Sequence, residues 1–161
     1  MGDSAKPVKF GSQTPFAEPS WYDNRNATPY YNEHHKAWRA KIREFVETEI
    51  TPNIDDWEKA NEIPLEVYKK ASKVGLLKAT VGWPEIAGPR PEGFDGFFSL
   101  IAFDELSNCG SGGVVWGLTG GHGIGLPPIA HYGDDEMLER IAKPCFAGEK
   151  RIALAVSEAT A

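Results

Sequence analysis

The final ten residues, 152–161, constrain the fold more than any other part of this chain. Their sequence, Ile-Ala-Leu-Ala-Val-Ser-Glu-Ala-Thr-Ala, predicts an apolar strand that runs into a small polar turn. Such a strand needs neighbours on both edges to satisfy its backbone donors and acceptors. The preceding residues supply no obvious partner strand. We therefore expect the front part of a larger protein, cut at the entrance to a second domain.

The composition excludes several classes of function. A net charge of -6 without a Lys/Arg-rich run argues against a nucleic-acid surface. No segment approaches the roughly 20 consecutive apolar residues that a membrane span requires. Cys109 and Cys145 lack the spacing of a metal-ligand pair, and we expect two reduced thiols in an intracellular protein. The four histidines also lack ligand spacing, so no metal site is predicted.

Three regions are predicted along the chain. Residues 1–31 are rich in proline and aromatic residues, and we expect an extended arm that lies against a surface. Residues 32–150 show helical periodicity, and residues 151–161 are the predicted strand. Helix starts, breaks and ends are predicted at Asn32, Pro52, Pro64, Gly75, Asp95, Asn108, Asp134 and Pro144. Carboxylates, including Asp104 and Glu105, are expected to face solvent or a neighbouring helix dipole.

A glycine-rich stretch, residues 110–125, has eight glycines among sixteen residues. It is not a dinucleotide fingerprint, because Leu126 stands where the last glycine is needed and no strand precedes it. Glycine inside a helix is unfavourable by roughly 0.5–1 kcal/mol relative to alanine. The stretch is therefore either irregular or a buried helix whose missing side chains leave room for something to lie against its backbone. A slot of that kind suits a slender apolar ligand.

Five groups of residues occur in an order that resembles the N-terminal helical domain of the acyl-CoA dehydrogenase family, over about Tyr30 to Ala161. The groups are Leu76-Leu77 after a glycine; Trp83-Pro84-Glu85 with Ala87-Gly88; Asp104-Glu105-Leu106-Ser107; Pro127-Pro128-Ile129 with Tyr132-Gly133-Asp134-Asp135-Glu136; and Gly148-Glu149-Lys150 before Leu154-Ala155-Val156-Ser157-Glu158. The resemblance implies a mainly α fold, with the first strand of a following β domain at its end.

The resemblance also implies FAD as cofactor. Ser157-Glu158 match the start of the family's flavin motif, whose Gly-Ser-Asp part would follow Ala161. By position, Leu154 and Val156 would contact the isoalloxazine ring, and Ser157 would hydrogen-bond near its N5/O4 edge.

The implied reaction is the α,β-dehydrogenation of acyl-CoA thioesters. The acyl chain would pass along Gly117, Gly120, Gly121 and Ile124, in a slot roomy enough for long or branched groups. The family's catalytic base is a glutamate of a later helical domain, so no residue here is assigned to catalysis and the chain alone is expected to be inactive.

Two other functions fit the same residues. One is an acyl-CoA oxidase or nitroalkane oxidase, and the other is a non-catalytic helical module that binds a partner. We expect a homo-oligomer at full length, without nucleic acid as partner. The electron acceptor, the acyl length and the choice among mitochondrion, peroxisome and cytosol stay open.

Overall fold

Helix α1, Glu33–Phe45, begins at a reciprocal cap in the computed structural model, which describes residues 28–157 and 159. The Asn32 side chain accepts a hydrogen bond from the backbone N–H of His34 at 2.9 Å. In return, the Asn32 N–H donates to Nδ1 of His35 at 3.0 Å. Together these bonds satisfy donors that a helix start leaves unpaired. The predicted cap at Asn32 is confirmed, and the apolar residues Trp38, Ile42 and Phe45 of α1 are buried.

The predicted break at Pro52 takes the form of a change in helix type. A π-helical turn, Val46–Ile50, and a 3₁₀ turn, Thr51–Asn53, separate α1 from α2, Ile54–Ala60. Proline has no N–H to donate, so a regular α-helix cannot run through this point undisturbed.

Helices α3, Leu65–Val74, and α4, Leu76–Ala79, meet at Gly75. The φ angle of Gly75 is 99°, which is unfavourable for residues with a side chain. A Cβ atom at Gly75 would also lie 2.9 Å from Cη2 of Trp83 and 3.1 Å from Cη2 of Trp38. Gly75 therefore lets the chain turn directly against two indole rings of the core, and the predicted end of α3 is confirmed.

Helix α5, Gly96–Ser107, starts at Asp95, whose carboxylate accepts from the Phe97 N–H at 2.9 Å. Helix α5 packs along α1, where the Trp38 indole donates to the Phe98 carbonyl at 2.9 Å. The same carboxylate of Asp95 lies 3.0 Å from Nε2 of His35, so the two helix starts are joined.

Glu105 of α5 is buried between two arginines of α1, contrary to the expectation that it faces solvent or a helix dipole. Its side chain is 1% exposed, and Arg39 is 2% exposed. Nε of Arg39 lies 2.7 Å from Oε1 of Glu105, and Nε of Arg43 lies 2.6 Å from Oε2. Two positive partners allow a carboxylate to remain in the interior.

The glycine-rich stretch is helical, as one of the two alternatives predicts. It forms α6, Gly112–Gly120, a π-helical turn, Gly121–Gly125, and α7, Leu126–Tyr132. The Ser111 hydroxyl caps α6 by accepting from the Val114 N–H at 3.0 Å. Leu118 and Leu126 anchor the stretch in the core, since both are fully buried.

Pro144 does not end the last helix, so that prediction is wrong. Helix α8, Asp135–Met137, continues through a π-helical turn, Leu138–Ala142, into α9, Lys143–Phe146. Pro144 is the second residue of α9. The carbonyl of Arg140, four residues before the proline, accepts instead from Nζ of Lys150 at 2.8 Å. The lysine supplies the donor that proline lacks.

The mainly helical fold is confirmed, and the described part of the chain contains no strand. Residues 151–157 have no regular secondary structure. The strand predicted for 151–161 would need neighbouring strands that the described residues do not contain, so it stays a prediction. Most of the predicted arm lies outside the described residues. Its last part packs on α5, where the Tyr31 and Phe97 ring centroids are 4.9 Å apart. Among the described helices, none is both long and apolar enough to cross a bilayer.

Candidate functional site

The segment that follows Arg151 crosses the π-helical turn of the glycine-rich stretch. Any Cβ atom on Gly121 would overlap the carbonyl oxygen of Ile152. A Cβ on Gly125 would lie 3.3 Å from the Leu154 nitrogen. These two glycines therefore allow one backbone to lie directly on another, a close approach that only glycine permits.

Arg151 holds the start of this segment against the connection between α2 and α3. Its Nη2 donates to the Ile63 carbonyl at 2.9 Å and to the Glu62 carboxylate at 3.3 Å. The guanidinium also lies 5.1 Å from the centroid of the Tyr68 ring, within the range of a cation–π interaction. The Tyr68 hydroxyl donates to the Gly117 carbonyl at 2.8 Å. Burial raises the pKa of Tyr68, with Arg151 acting in the opposite direction, so this hydroxyl remains a donor at neutral pH.

An open cleft of about 320 Å³ lies between the α2–α3 connection and α6. Gly117 is part of its wall, and a Cβ at that position would come within 2.8 Å of Cδ1 of Ile63. Glu58 accepts a hydrogen bond from the Ser111 hydroxyl and faces Gly113 across the cleft. The cleft is lined by Trp57, Glu58, Asn61, Glu62, Ile63, Tyr68, Gly113, Val114, Gly117 and Arg151.

Trp116 covers the helix surface at Gly120. A Cβ at Gly120 would lie 3.2 Å from Cδ2 and from Cε2 of the indole. The indole is nevertheless 68% exposed, because its other side faces solvent. Ile124, one helical turn beyond Gly120, is 47% exposed. Trp116 precedes Gly120 by four residues, a spacing that places both residues on one helix face.

Two touching segments, 116–124 and 152–156, carry a concentration of exposed apolar side chains. Leu154 is 54% exposed and Val156 is 75% exposed. Together with Trp116 and Ile124 they make up four of the eight large apolar residues that are exposed in the described part of the chain. We call these four residues the apolar face. Exposed apolar side chains on segments that touch are typical of a surface that binds a ligand or another part of a protein.

Ser157 follows the apolar face directly and is exposed. Within the described residues its hydroxyl has no hydrogen-bond partner. Leu154, Val156 and Ser157 thus present two exposed apolar side chains and one exposed hydroxyl, and their assignment to cofactor binding stays a prediction.

The four predicted substrate residues do not share one uncovered surface. Gly117 faces the cleft and Ile63, whereas Gly121 lies beneath the Ile152 carbonyl. Gly120 lies under the Trp116 indole, and Ile124 belongs to the apolar face. Their assignment to substrate binding stays a prediction.

His122 is a buried titratable residue of the π-helical turn, Gly121–Gly125. Its Nε2 donates to the Cys145 carbonyl at 3.0 Å. Burial lowers the pKa of His122, and the bond to the carbonyl only partly offsets this, so the ring is neutral at physiological pH. Burial also raises the pKa of the Cys145 thiol, and both cysteines are free and buried. Among the described residues no group of three or more His, Cys, Asp or Glu side chains could hold a metal ion.

Comparison with known proteins identifies the family. Residues 32–149 match the family model described as "Acyl-CoA dehydrogenase, N-terminal domain". The chain therefore belongs to the acyl-CoA dehydrogenase family, and the residues that match are those of its N-terminal domain.

Individual relatives agree with this result. The acyl-CoA dehydrogenase AFT10-1 of Alternaria alternata is 35% identical over 92% of this chain and 37% of its own length. The long-chain specific acyl-CoA dehydrogenase, mitochondrial, of Mus musculus is 32% identical over 80% of this chain and 28% of its own length. A crystal structure of a probable acyl CoA dehydrogenase from Mycobacterium abscessus superimposes with a TM-score of 0.63 at 36% identity, covering 73% of this chain and 30% of that one. The chain thus spans about a third of the length of these relatives.

Proposed function

We propose that this chain forms one wall of the flavin and thioester site of an FAD-dependent acyl-CoA dehydrogenase. The observation that carries the proposal is the apolar face, which the fold leaves exposed beside the available hydroxyl of Ser157. A helical domain with its own buried core has no need of such a surface for stability. Family membership supports this class of ligand, and the exposure of the apolar face supports the location proposed for it.

Leu154, Val156 and Ser157 would hold FAD. The two apolar side chains would pack on its ring, and the Ser157 hydroxyl would donate a hydrogen bond to a ring heteroatom. FAD, when bound, supplies a two-electron acceptor for hydride from the β-carbon of a thioester. A hydroxyl that donates to a ring gaining negative charge stabilises that charge, and therefore favours the transfer.

The acyl group would lie on the glycine-rich stretch. Ile124 would contribute to the exposed side of that stretch, where Gly120 lies beneath the Trp116 indole. Gly117 would contribute through the adjoining cleft, and Gly121 lets the segment that leads to Ser157 lie directly on the helix. We assign no proton transfer to this chain. The base would come from a later helical domain, as in the family.

The direct test uses the protein encoded by the complete gene. We expect it to purify with FAD, to show a flavin absorbance spectrum, and to lose that absorbance under anaerobic conditions when an acyl-CoA is added. Formation of the enoyl-CoA with an added dye as electron acceptor completes the assignment. Turnover with oxygen alone, producing hydrogen peroxide, would indicate an oxidase instead, and a stable flavin-free protein would indicate an interaction module.

A single substitution tests the role given to Ser157. We expect Ser157→Ala to slow anaerobic flavin reduction about tenfold or more, since a hydrogen bond to a charged group contributes roughly 1.5–3 kcal/mol. Ser107→Ala is the matched control, because the Ser107 hydroxyl donates to a carbonyl within its own helix α5. Equal reduction rates in both variants would remove Ser157 from the proposed site.

A further inference from the structure

Trp116 has an unusual position for a large side chain. Its indole rests on the backbone at Gly120, with ring atoms 3.2 Å from the point where a Cβ would begin, while 68% of the residue remains exposed. Within the described part of the chain, its Nε1 makes no hydrogen bond. The indole is therefore held against the helix by van der Waals contact with a glycine, and no polar bond fixes it there.

The absence of a side chain at Gly120 has a local use. An added Cβ there would lie 3.2 Å from two indole atoms, which is tighter than ordinary contact, so the indole would have to move away from the helix by a few tenths of an ångström, and further for a larger side chain. The space above Gly120, which the sequence suggests is free for a ligand, is thus filled by a neighbouring side chain. An apolar ligand that follows this helix face from Ile124 towards Gly117 must stop at the indole or displace it.

We propose that Trp116 is a specificity-determining residue that limits the length of the acyl group on the apolar face. This inference rests on the proposed function. The indole occupies the backbone surface that a longer straight chain would need, so shorter acyl groups are preferred. It replaces the expectation, drawn from Gly117 and Gly120 alone, that the slot is roomy enough for long or branched groups.

The structure also indicates how the limit could be changed. Removal of the indole would uncover Gly120 and leave the helix backbone accessible. A bulky side chain at Gly120 in that background would fill the same space again.

The experiment measures kcat/KM for straight-chain acyl-CoA thioesters from butanoyl to hexadecanoyl, with the protein encoded by the complete gene. We expect Trp116→Ala to raise the ratio of the longest to the shortest substrate about tenfold or more, which is the effect of a few methylene-sized contacts. The double variant W116A/G120L should return the ratio towards its original value. Tyr132→Ala is the control, since Tyr132 is an aromatic residue of α7 that is 90% exposed.

The outcomes separate this inference from the function on which it rests. An unchanged length profile in an active Trp116→Ala variant overturns the role of Trp116. An equal loss of kcat/KM at every length also overturns it, because that result indicates a contact with another part of the protein. If the unmodified protein binds no flavin and oxidises no acyl-CoA, the proposed function itself fails, and the inference fails with it. Affinities for unreactive CoA thioethers of the same lengths should follow the same order as kcat/KM.

Discussion

Removal of the Glu105 carboxylate should destabilise the domain more than most single substitutions. Glu105 is 1% exposed, and Nε atoms of Arg39 and Arg43 lie 2.7 Å and 2.6 Å from its oxygens. In Glu105→Ala, the guanidinium of Arg39 stays buried at 2% exposure without the carboxylate that now neutralises it. Breaking a buried pair in this way lowers the free energy of unfolding by about 3–5 kcal/mol.

The size of the effect can be measured by thermal unfolding. For a chain of this size, 1 kcal/mol corresponds to roughly 2–4 °C, so Glu105→Ala should lower Tm by about 6–20 °C. Glu139→Ala is the control, because Glu139 pairs with Lys143 on the surface at 63% side-chain exposure. That variant should unfold near the temperature of the unmodified chain.

A double variant separates charge from packing. In R39M/E105L both buried charged groups are replaced by apolar ones, and Arg43, whose side chain is 24% exposed, can turn towards water. Such replacements are often neutral or stabilising, so the double variant should be more stable than Glu105→Ala. Our account of this network is wrong if Glu105→Ala lowers the free energy of unfolding by less than about 1 kcal/mol. It is also wrong if R39M/E105L is less stable than both Glu105→Ala and the unmodified chain.

Four further substitutions test individual features. Gly121→Ala should lower stability by about 1–3 kcal/mol and speed amide exchange in the segment after Arg151, because its Cβ would overlap the Ile152 carbonyl. Gly123→Ala, where the nearest atom is 3.8 Å away, should instead add about 0.5–1 kcal/mol. Gly75→Ala should lose about 1–3 kcal/mol, since φ is 99° and two indoles crowd the site. His122→Gln should reduce the loss of stability on acidification: burial lowers the folded-state pKa of His122 below 6.5, so the unfolded chain binds more protons and stability falls as pH drops below about 6.5.

Each of these has a result that would count against it. Similar stabilities for Gly121→Ala and Gly123→Ala in urea titrations would show that the crossing segment does not rest on Gly121. Full stability of Gly75→Ala would mean that the turn adapts to a side chain. For His122, parallel stability curves of variant and unmodified chain between pH 7 and pH 5 would show that its burial does not contribute to acid sensitivity.

The helix starts could be predicted because their determinants are local. Asn32 and Asp95 cap α1 and α5 through side chains that reach only two or three residues ahead. Gly75 ends α3 through its own backbone angle. Such signals lie within a few residues of the helix end, where capping and turn preferences act.

Features that depend on distant residues could not be predicted. The burial of Glu105 requires Arg39 and Arg43, more than sixty positions earlier, to lie on the facing side of α1. The continuation through Pro144 requires Lys150 to supply a donor from beyond the helix. The same holds for the candidate site. The sequence indicates its segments, but only the structure shows that the Trp116 indole lies on Gly120.

The position of Arg151 has a consequence for protein engineering. Its bonds to Glu62 and Ile63, and the contact of Ile152 with Gly121, tie the first residues after Lys150 to the helices. A chimera joined between Lys150 and Arg151 would cut through these contacts, and the transplanted part would lose the alignment that they impose. Junctions for exchanging domains among relatives should therefore be placed after Leu154, so that the helices keep their own contacts with Arg151 and Ile152.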